Sequence, residues 1–160
     1  MDLRIRPVGD ADVDDLVRLS LLAWEPVFRS FEQLLGPAVY SLIWPDWRAG
    51  QKEAIETVCR DGEKTTVWVA EAEGMVVGFV AYTLNEDQTG EVQLLAVHPA
   101  YQNRGIGTEL NVFALQKMKE SGMVMAKVET GGDSSHAPAR RSYEKAGYTA
   151  LPLVRYFKDL

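Results

Sequence analysis

The stretch VHPAYQNRGIGTEL, residues 97–110, decides how the rest of the sequence is interpreted. A strand-like run ends at His98 and Pro99, a polar segment follows with Gly105 and Gly107, and an amphipathic pattern then begins. The first backbone N–H groups of a helix have no partner inside it, and the positive end of the helix dipole lies there. Glycines at such a start let anion oxygens reach the amides, so this segment predicts a pyrophosphate site.

Two common phosphate motifs do not fit this segment. The P-loop needs a lysine after its last glycine, whereas Thr108 follows Gly107 here. The dinucleotide motif G-x-G-x-x-G needs a third glycine, and Leu110 takes its place, although Glu129 lies near the offset of a ribose-binding acid. A leucine would block the close helix contact, so neither motif is predicted.

The chain before this segment predicts a strand, helices and then an antiparallel sheet. Leu3 and Ile5 alternate with arginines as in a short strand, and Asp10 or Asp12 is suited to cap the next helix. A helical pattern covers residues 24–59. Breaks in it are expected at Pro26, Gly36-Pro37 and Pro45.

Three β-rich runs lead to the glycine segment. Residues 65–72 and 75–84 flank Glu73-Gly74, a spacer suited to a tight antiparallel turn. The run EVQLLAV, residues 91–97, should add a third antiparallel strand.

The chain after the glycines predicts a helix, a strand and a second helix. Apolar residues from Ile106 to Met118 fall on one helical face, and Gly122 is suited to end that helix. The run MVMAKVE, residues 123–129, is expected to be a buried strand parallel to residues 91–97. A short helix between Pro138 and Gly147 follows. Two last strand-like pieces, GYTA and LPLVRYF, finish the chain.

Length and composition predict one soluble domain, residues 1–160. The 160 residues are 46% hydrophobic and 25% charged, which suits a single core. One cysteine, Cys59, and two histidines make a poor zinc ligand set, so no metal is expected. A net charge of -6 argues mildly against nucleic acid, and no run approaches the ~20 apolar residues of a membrane helix. A cytoplasmic protein without a membrane partner is expected.

The segment also resembles a known family. VHPAYQNRGIGTEL looks like the acyl-CoA-binding motif Q/R-x-x-G-x-G/A of the GNAT N-acetyltransferases, and HAPARRSYEKAGY, residues 136–148, looks like their second motif, a helix carrying a tyrosine. Both motifs occur in order, so the sequence is identified as similar to GNAT enzymes over roughly residues 67–148.

The resemblance implies an α/β fold with a mixed, mostly antiparallel sheet, flanked by helices, whose two central parallel strands splay apart to admit acetyl-CoA. The strands would be residues 91–97 and 123–129. Two sets of groups would hold the coenzyme: backbone groups of Leu95, Ala96 and Val97 on the pantetheine arm, and the amides of Gln102, Asn103, Arg104, Gly105, Ile106, Gly107 and Thr108 on the pyrophosphate. His136 stands where the family usually has an asparagine that contacts the pantetheine.

Acetyl transfer needs a neutral amine, and an alkyl ammonium has a pKa of about 10.4, so a base or a water relay must remove a proton. Strand alternation would place Glu91 on the face of Gln93, Leu95 and Val97, and the family's histone-type members have a base-supplying glutamate at the same distance before the motif. Glu129, at the end of the second parallel strand, is the alternative. The alternative for Glu91 is a solvated acid at a strand start, and the alternative for Glu129 is a strand-end residue that caps the turn TGGDSSH.

Tyr143 matches the family's proton donor to the leaving thiolate.

The aromatic residues near Trp24 and Phe28 lie in the region that forms the acceptor site in the family, and Glu25 would attract an ammonium there. The alternative for these aromatic residues is packing in the core. Cys59 lies outside both motifs, so a covalent acetyl-cysteine is not expected.

The sequence therefore predicts an acetyl-CoA-dependent N-acetyltransferase acting on a primary amine, small or peptidic, by direct attack in a ternary complex. A non-catalytic acyl-CoA sensor or regulatory module is the alternative. The family resemblance also makes a homodimer a possible assembly, and the identity of the amine stays open.

Overall fold

The computed structural model describes all of residues 1–160. Its strands are β1 (Leu3–Pro7), β2 (Thr65–Ala72), β3 (Met75–Leu84), β4 (Thr89–Val97) and β5 (Met125–Val128). Its helices are α1 (Val13–Ile43), α2 (Trp47–Arg60), α3 (Ile106–Glu120) and α4 (Ala137–Lys145). Short 3-10 turns lie at Asp10–Asp12, Pro99–Tyr101 and Ser134–His136. None of the helices combines the length and the apolar character that crossing a membrane requires.

The strands form one sheet in the order β1-β2-β3-β4-β5, antiparallel except for the parallel pair β4 and β5. The predicted mixed α/β sheet flanked by helices is therefore confirmed. Glu73 and Gly74, which join β2 to β3, have positive φ angles of 54° and 76°. A two-residue turn with both φ angles positive matches the twist of the strands it joins, as the sequence predicted.

Two apolar clusters hold helices to opposite faces of the sheet. On one face Ile106 and Leu110 of α3 pack on strand residues such as Val80 and Val92. On the other face Leu16 of α1 and Ile55 of α2 pack with Phe79. The face of α3 lies close to β3 because Gly78 has no side chain: a Cβ there would meet Leu110 Cδ1 of α3 at 3.2 Å.

The helical region differs from the prediction at one of its expected breaks. Gly36 has φ 76° and ψ 158° and does break α1, and residues 44–46 separate α1 from α2. The expected break at Pro26 is wrong, since that proline lies inside α1. Proline removes one backbone hydrogen bond, but Leu19 and Phe28 on either side are buried, and their packing holds the helix together.

The end of the chain also differs from the prediction. Residues 149–160 form no strand and are exposed, so the last two expected strands are wrong. For the same reason β5 is an edge strand rather than a central, buried one, with Met125 and Lys127 exposed. An apolar β-like pattern requires a partner edge, and nothing within the chain pairs with residues 149–160.

Candidate active site

A cleft opens where β4 and β5 separate. Their parallel pairing starts at Thr89 and Met125 and ends at Val92 and Val128, while β4 continues without a partner on that side to Val97. The cleft has a volume of about 660 Å³, within the ordinary range for ligand sites. Residues of α1, β4, the glycine segment, the end of β5 and α4 line it. The two parallel strands therefore separate as predicted, although β5 is an edge strand rather than a central one.

The glycine segment presents a row of free amides to one end of this cleft. None of the six backbone N–H groups of residues 103–108 donates a hydrogen bond within the chain, whereas the N–H of Gln102, also predicted to bind the pyrophosphate, donates to the backbone oxygen of Pro99 at 3.4 Å. Gly105 caps α3 with φ 84°, and Asn103 also has a positive φ of 61°, which turns the backbone toward the start of the helix. A pyrophosphate fits such a row of donors because each amide lacks a partner and the helix dipole favours negative charge.

Gly107 leaves room for a ligand close to the backbone. A Cβ there would touch Ser142 Oγ at 3.5 Å and Val97 Cγ2 at 3.7 Å, which are ordinary contacts. Within the chain alone the position therefore tolerates a Cβ, and any requirement for glycine would come from a bound molecule.

The long side chains of the segment contact the protein. Gln102 Nε2 donates to the backbone oxygen of Val97 at 3.0 Å, and Arg104 lies 5.1 Å from the centre of the Tyr101 ring. Their side chains thus hold the loop at the end of β4. Arg141 and Lys145 of α4 line the cleft and supply further positive charge. Both occur in the second motif but were not predicted as site residues.

Tyr143 of α4 lies in the cleft and packs edge-to-face on Tyr148, with ring centres 5.7 Å apart. Burial, with a smaller contribution from Tyr148, raises the pKa of Tyr143 to about 12. The phenol is therefore protonated at neutral pH and is able to donate. α4 is held against α3 by Asn111, whose Nδ2 donates to Ser142 Oγ at 3.0 Å.

His136, at the start of α4, lines the cleft too. Its Nδ1 lies 2.5 Å from Asp133 Oδ1, and the other oxygen of that carboxylate accepts a hydrogen bond from Ser30 of α1 at 2.6 Å. Asp133 was not among the residues predicted from the sequence. Its position three residues before His136 was a usable signal, whereas nothing in the sequence links it to Ser30, 103 residues away.

The two acids predicted near the reaction lie in different places. Glu129 lines the cleft, whereas Glu91 does not and instead contacts Lys127 Nζ at 3.5 Å. The expected alternation along β4 is wrong. Ala81 pairs with Leu94 and Tyr82 with Val92, so a bulge at Gln93 shifts the alternation by one residue. Glu91 therefore shares a face with Leu94 and Ala96, not with Leu95 and Val97.

The predicted acceptor residues also separate. Trp24 lines the cleft. Phe28 is buried in the aromatic cluster of α1 and α2, stacked on Trp47 at 4.5 Å. Glu25 lies 3.5 Å from Arg29 and 3.6 Å from Arg48 in exposed ion pairs.

Cys59 lies on α2 and packs at the edge of the apolar cluster between the sheet and α1, away from the cleft. Burial, and secondarily the charge of Asp12, raises the pKa of its thiol. A protonated thiol is a poor nucleophile. No three histidine, cysteine, aspartate or glutamate side chains gather as a metal site would require.

Known proteins with similar sequences are acetyltransferases. The model of the acetyltransferase (GNAT) family matches residues 36–148. The mycothiol acetyltransferase of Thermomonospora curvata is 31% identical over 83 residues, which are 52% of this chain and 27% of that protein. The chain thus spans about a quarter of that relative's length. An uncharacterised N-acetyltransferase of Bacillus subtilis, YvbK, is 27% identical over 97 residues, 61% of this chain and 59% of that protein.

Solved structures share the whole fold at low identity. The PaiA N-acetyltransferase of Thermoplasma acidophilum, in complex with coenzyme A, has a TM-score of 0.73 at 17% identity and covers 94% of this chain and 92% of its own. AAC(6')-Iy, in complex with a bisubstrate analogue, has a TM-score of 0.69 at 13% identity, with 100% and 99% coverage. Since the family model matches well over half of the residues and includes both cleft motifs, the chain belongs to the GNAT family of acetyltransferases.

Proposed function

We propose that the protein is an N-acetyltransferase that transfers the acetyl group of acetyl-CoA to a primary amine by direct attack in a ternary complex. The observation that carries the proposal is the row of six free amides, residues 103–108, at the end of the splayed strands, with a protonated Tyr143 in the same cleft. Acetyl-CoA supplies an acetyl group activated as a thioester.

The roles of the chain's own groups follow from their places in the cleft. Amides of residues 103–108 bind the pyrophosphate, and Arg141 and Lys145 add positive charge. The unpaired side of β4 near Leu95, Ala96 and Val97 lies along the pantetheine arm, with His136 opposite on α4. A backbone amide near Val97 polarises the thioester carbonyl, and Tyr143 donates a proton to the departing sulfur.

The amine must lose a proton before it attacks. Glu129 lies in the cleft, so its carboxylate favours the approach of an ammonium, whereas Glu91 lies on the sheet face that carries α1 and α2, outside the cleft lining. Trp24 forms part of the acceptor side of the cleft, and Glu25 and Phe28 support that side from α1.

A small-molecule amine is the proposed acceptor. Support comes from similar proteins, whose names refer to mycothiol and to aminoglycosides. The cytoplasm is the proposed location, since acetyl-CoA is supplied there.

We also propose a homodimer. Support comes from residues 149–160, which expose large apolar side chains, and from β5, whose outer edge has no neighbouring strand. An open edge and an unpaired apolar segment favour strand pairing between two copies.

A thiol-release screen with acetyl-CoA over aminoglycosides, polyamines, amino acids and peptide N-termini tests the activity, with product mass as confirmation. Acetylation of at least one amine is expected. Tight acetyl-CoA binding without acetylation of any amine would contradict the proposal and favour an acyl-CoA sensor.

A further inference from the structure

His136 and Asp133 form a pair that the family resemblance does not explain. The imidazole Nδ1 is 2.5 Å from Asp133 Oδ1, and the two side chains are only 15% and 8% exposed. The second carboxylate oxygen accepts hydrogen bonds from Ser30 Oγ at 2.6 Å and from Ser135. Asp133 is thus held from α1 and from its own turn at once.

The chain also keeps this pair in place by packing. The imidazole stacks on Phe31 of α1, with ring centres 5.6 Å apart. A Cβ on Gly131 would collide with the imidazole and would lie 2.6 Å from Asp133 Oδ1. Arg140 fixes the same turn by donating to the backbone oxygens of Gly131 and Asp133 at 2.6 and 2.7 Å. Glycine at 131 is therefore needed to seat the pair.

This geometry fixes which ring nitrogen is basic. Burial alone would raise the pKa of the Asp133 carboxyl, but hydrogen bonds from Ser135, Ser30 and His136 hold it well below its usual range. An ionised carboxylate only accepts, so Nδ1 of the neutral imidazole carries the proton. Nε2 then has a free lone pair, and it makes no hydrogen bond within the chain.

We propose that Nε2 of His136 is the proton acceptor for the substrate amine, with Asp133 as the positioning residue. The inference rests on the proposed acetyl transfer. Nε2 takes one proton from the ammonium, and the amine lone pair forms the new C–N bond as the C–S bond breaks. The sulfur leaves with the bonding electrons and takes a proton from Tyr143, and the second amine proton passes to water.

The proposal assigns His136 a role that an asparagine at this position lacks, since an amide is not a base at neutral pH. Glu129 then attracts the ammonium rather than accepting its proton. The charged groups on the turn that holds the imidazole are Asp133 and Arg140. Five further titratable groups share the cleft with His136: Tyr101, Glu129, Arg141, Tyr143 and Lys145.

His136→Asn is the decisive variant because it restores the family's usual residue and removes the basic ring nitrogen. We expect kcat/KM for the amine to fall about 100-fold at pH 7, in the range of general base catalysis, with partial recovery at alkaline pH. Acetyl-CoA affinity by calorimetry should change less than about threefold, since the phosphate site is untouched. Unchanged kcat with weaker acetyl-CoA binding would overturn the role and make His136 a pantetheine contact.

The protonation state provides a readout that needs no substrate. The ¹⁵N chemical shifts of His136 in the free wild-type protein should show a protonated Nδ1 and an unprotonated Nε2 at alkaline pH. Asp133→Asn should abolish this preference and lower kcat/KM similarly. A proton on Nε2 in the wild type would overturn the proposal. An active wild type with an unaffected His136→Asn variant overturns this role alone, whereas a wild type that acetylates no amine overturns the proposed function as well.

Discussion

Val92 and Val128 form the last pair in the parallel ladder between β4 and β5. Beyond them β4 runs on to Val97, and the glycine segment follows directly. One strand end therefore provides both the opening for the coenzyme arm and the row of amides for its phosphates. This links the sheet register to ligand binding.

Gly107→Val tests the phosphate end of the cleft. The three nearest atoms to a Cβ at residue 107 are side-chain atoms at 3.5–3.8 Å, so the protein should stay folded, while the branched side chain would occupy the space above the free amides. We expect acetyl-CoA affinity to fall at least tenfold by calorimetry, about 1.4 kcal/mol. Gly50→Val on α2, with nothing within 4 Å of a Cβ, is the control and should leave affinity unchanged. Equal affinities for both variants would place the pyrophosphate elsewhere.

Tyr143→Phe removes a proton donor and keeps the ring. We expect kcat to fall about 10- to 100-fold with little change in the KM for acetyl-CoA. Because the pKa of Tyr143 is raised to about 12, the phenol keeps its proton well above neutral pH, and the wild-type rate should show no falling limb from it below about pH 10.

Tyr148→Phe is the matched control for that change. The Tyr148 hydroxyl is buried without a hydrogen-bond partner, so its removal should leave kcat and stability nearly unchanged. Equal losses in the two variants would indicate that the Tyr143 hydroxyl acts through packing.

The roles of the two carboxylates are distinguished by comparing Glu129→Gln with Glu91→Gln. Glu129 lies in the cleft, so its replacement should raise the KM for the amine about tenfold, roughly the loss in affinity expected when one favourable charge contact is removed. The acidic limb of the pH–rate profile should remain, because Glu129 is not the proposed base. Glu91 contacts Lys127 and does not line the cleft, so its replacement should change kcat/KM less than about threefold. Loss of the acidic limb in either variant would make that carboxylate the base.

The sheet face on which Glu91 lies could not be predicted from the sequence. Motifs located the glycine segment, Tyr143 and the parallel strands, because local residue patterns determine helix starts and strand runs. The bulge at Gln93 depends on how β4 pairs with β3, and it reversed the face predicted for Glu91. The pairing of Asp133 with Ser30 depends on tertiary contact between α1 and the turn before α4. Neither relationship leaves a local pattern.

Asp12→Asn tests the charge network at the start of α1. Hydrogen bonds from Arg6 lower the pKa of the Asp12 carboxyl, and Gly9 N donates to it at 2.7 Å. A lowered folded-state pKa means that the stabilisation is present above the unfolded pKa of about 3.9 and is lost as pH falls through the folded value. Replacement should cost about 1–2 kcal/mol at pH 7 by urea unfolding, and less below pH 3.

Asp15→Asn is the control for Asp12, because Asp15 is 52% exposed and pairs only with Arg18 on the helix surface. Its cost should stay below about 0.5 kcal/mol at either pH. A cost for Asp12→Asn that does not depend on pH would show that packing, not charge, explains the effect.

The exposed segment 149–160 tests the proposed dimer. Leu153 and Tyr156 are 73% and 89% exposed, and burying each across an interface would contribute about 1.5–3 kcal/mol. Leu153→Glu combined with Tyr156→Glu should therefore raise the dimer dissociation constant at least about 100-fold in analytical ultracentrifugation. Leu34→Glu with Leu42→Glu on α1, where the leucines are 69% and 72% exposed, is the matched control and should leave association unchanged. A wild type that stays monomeric at about 100 μM would contradict pairing through this segment. Equal effects of the two double variants would contradict it too, because a stable interface needs specific contacts over about 1,000 Å² and not general surface hydrophobicity.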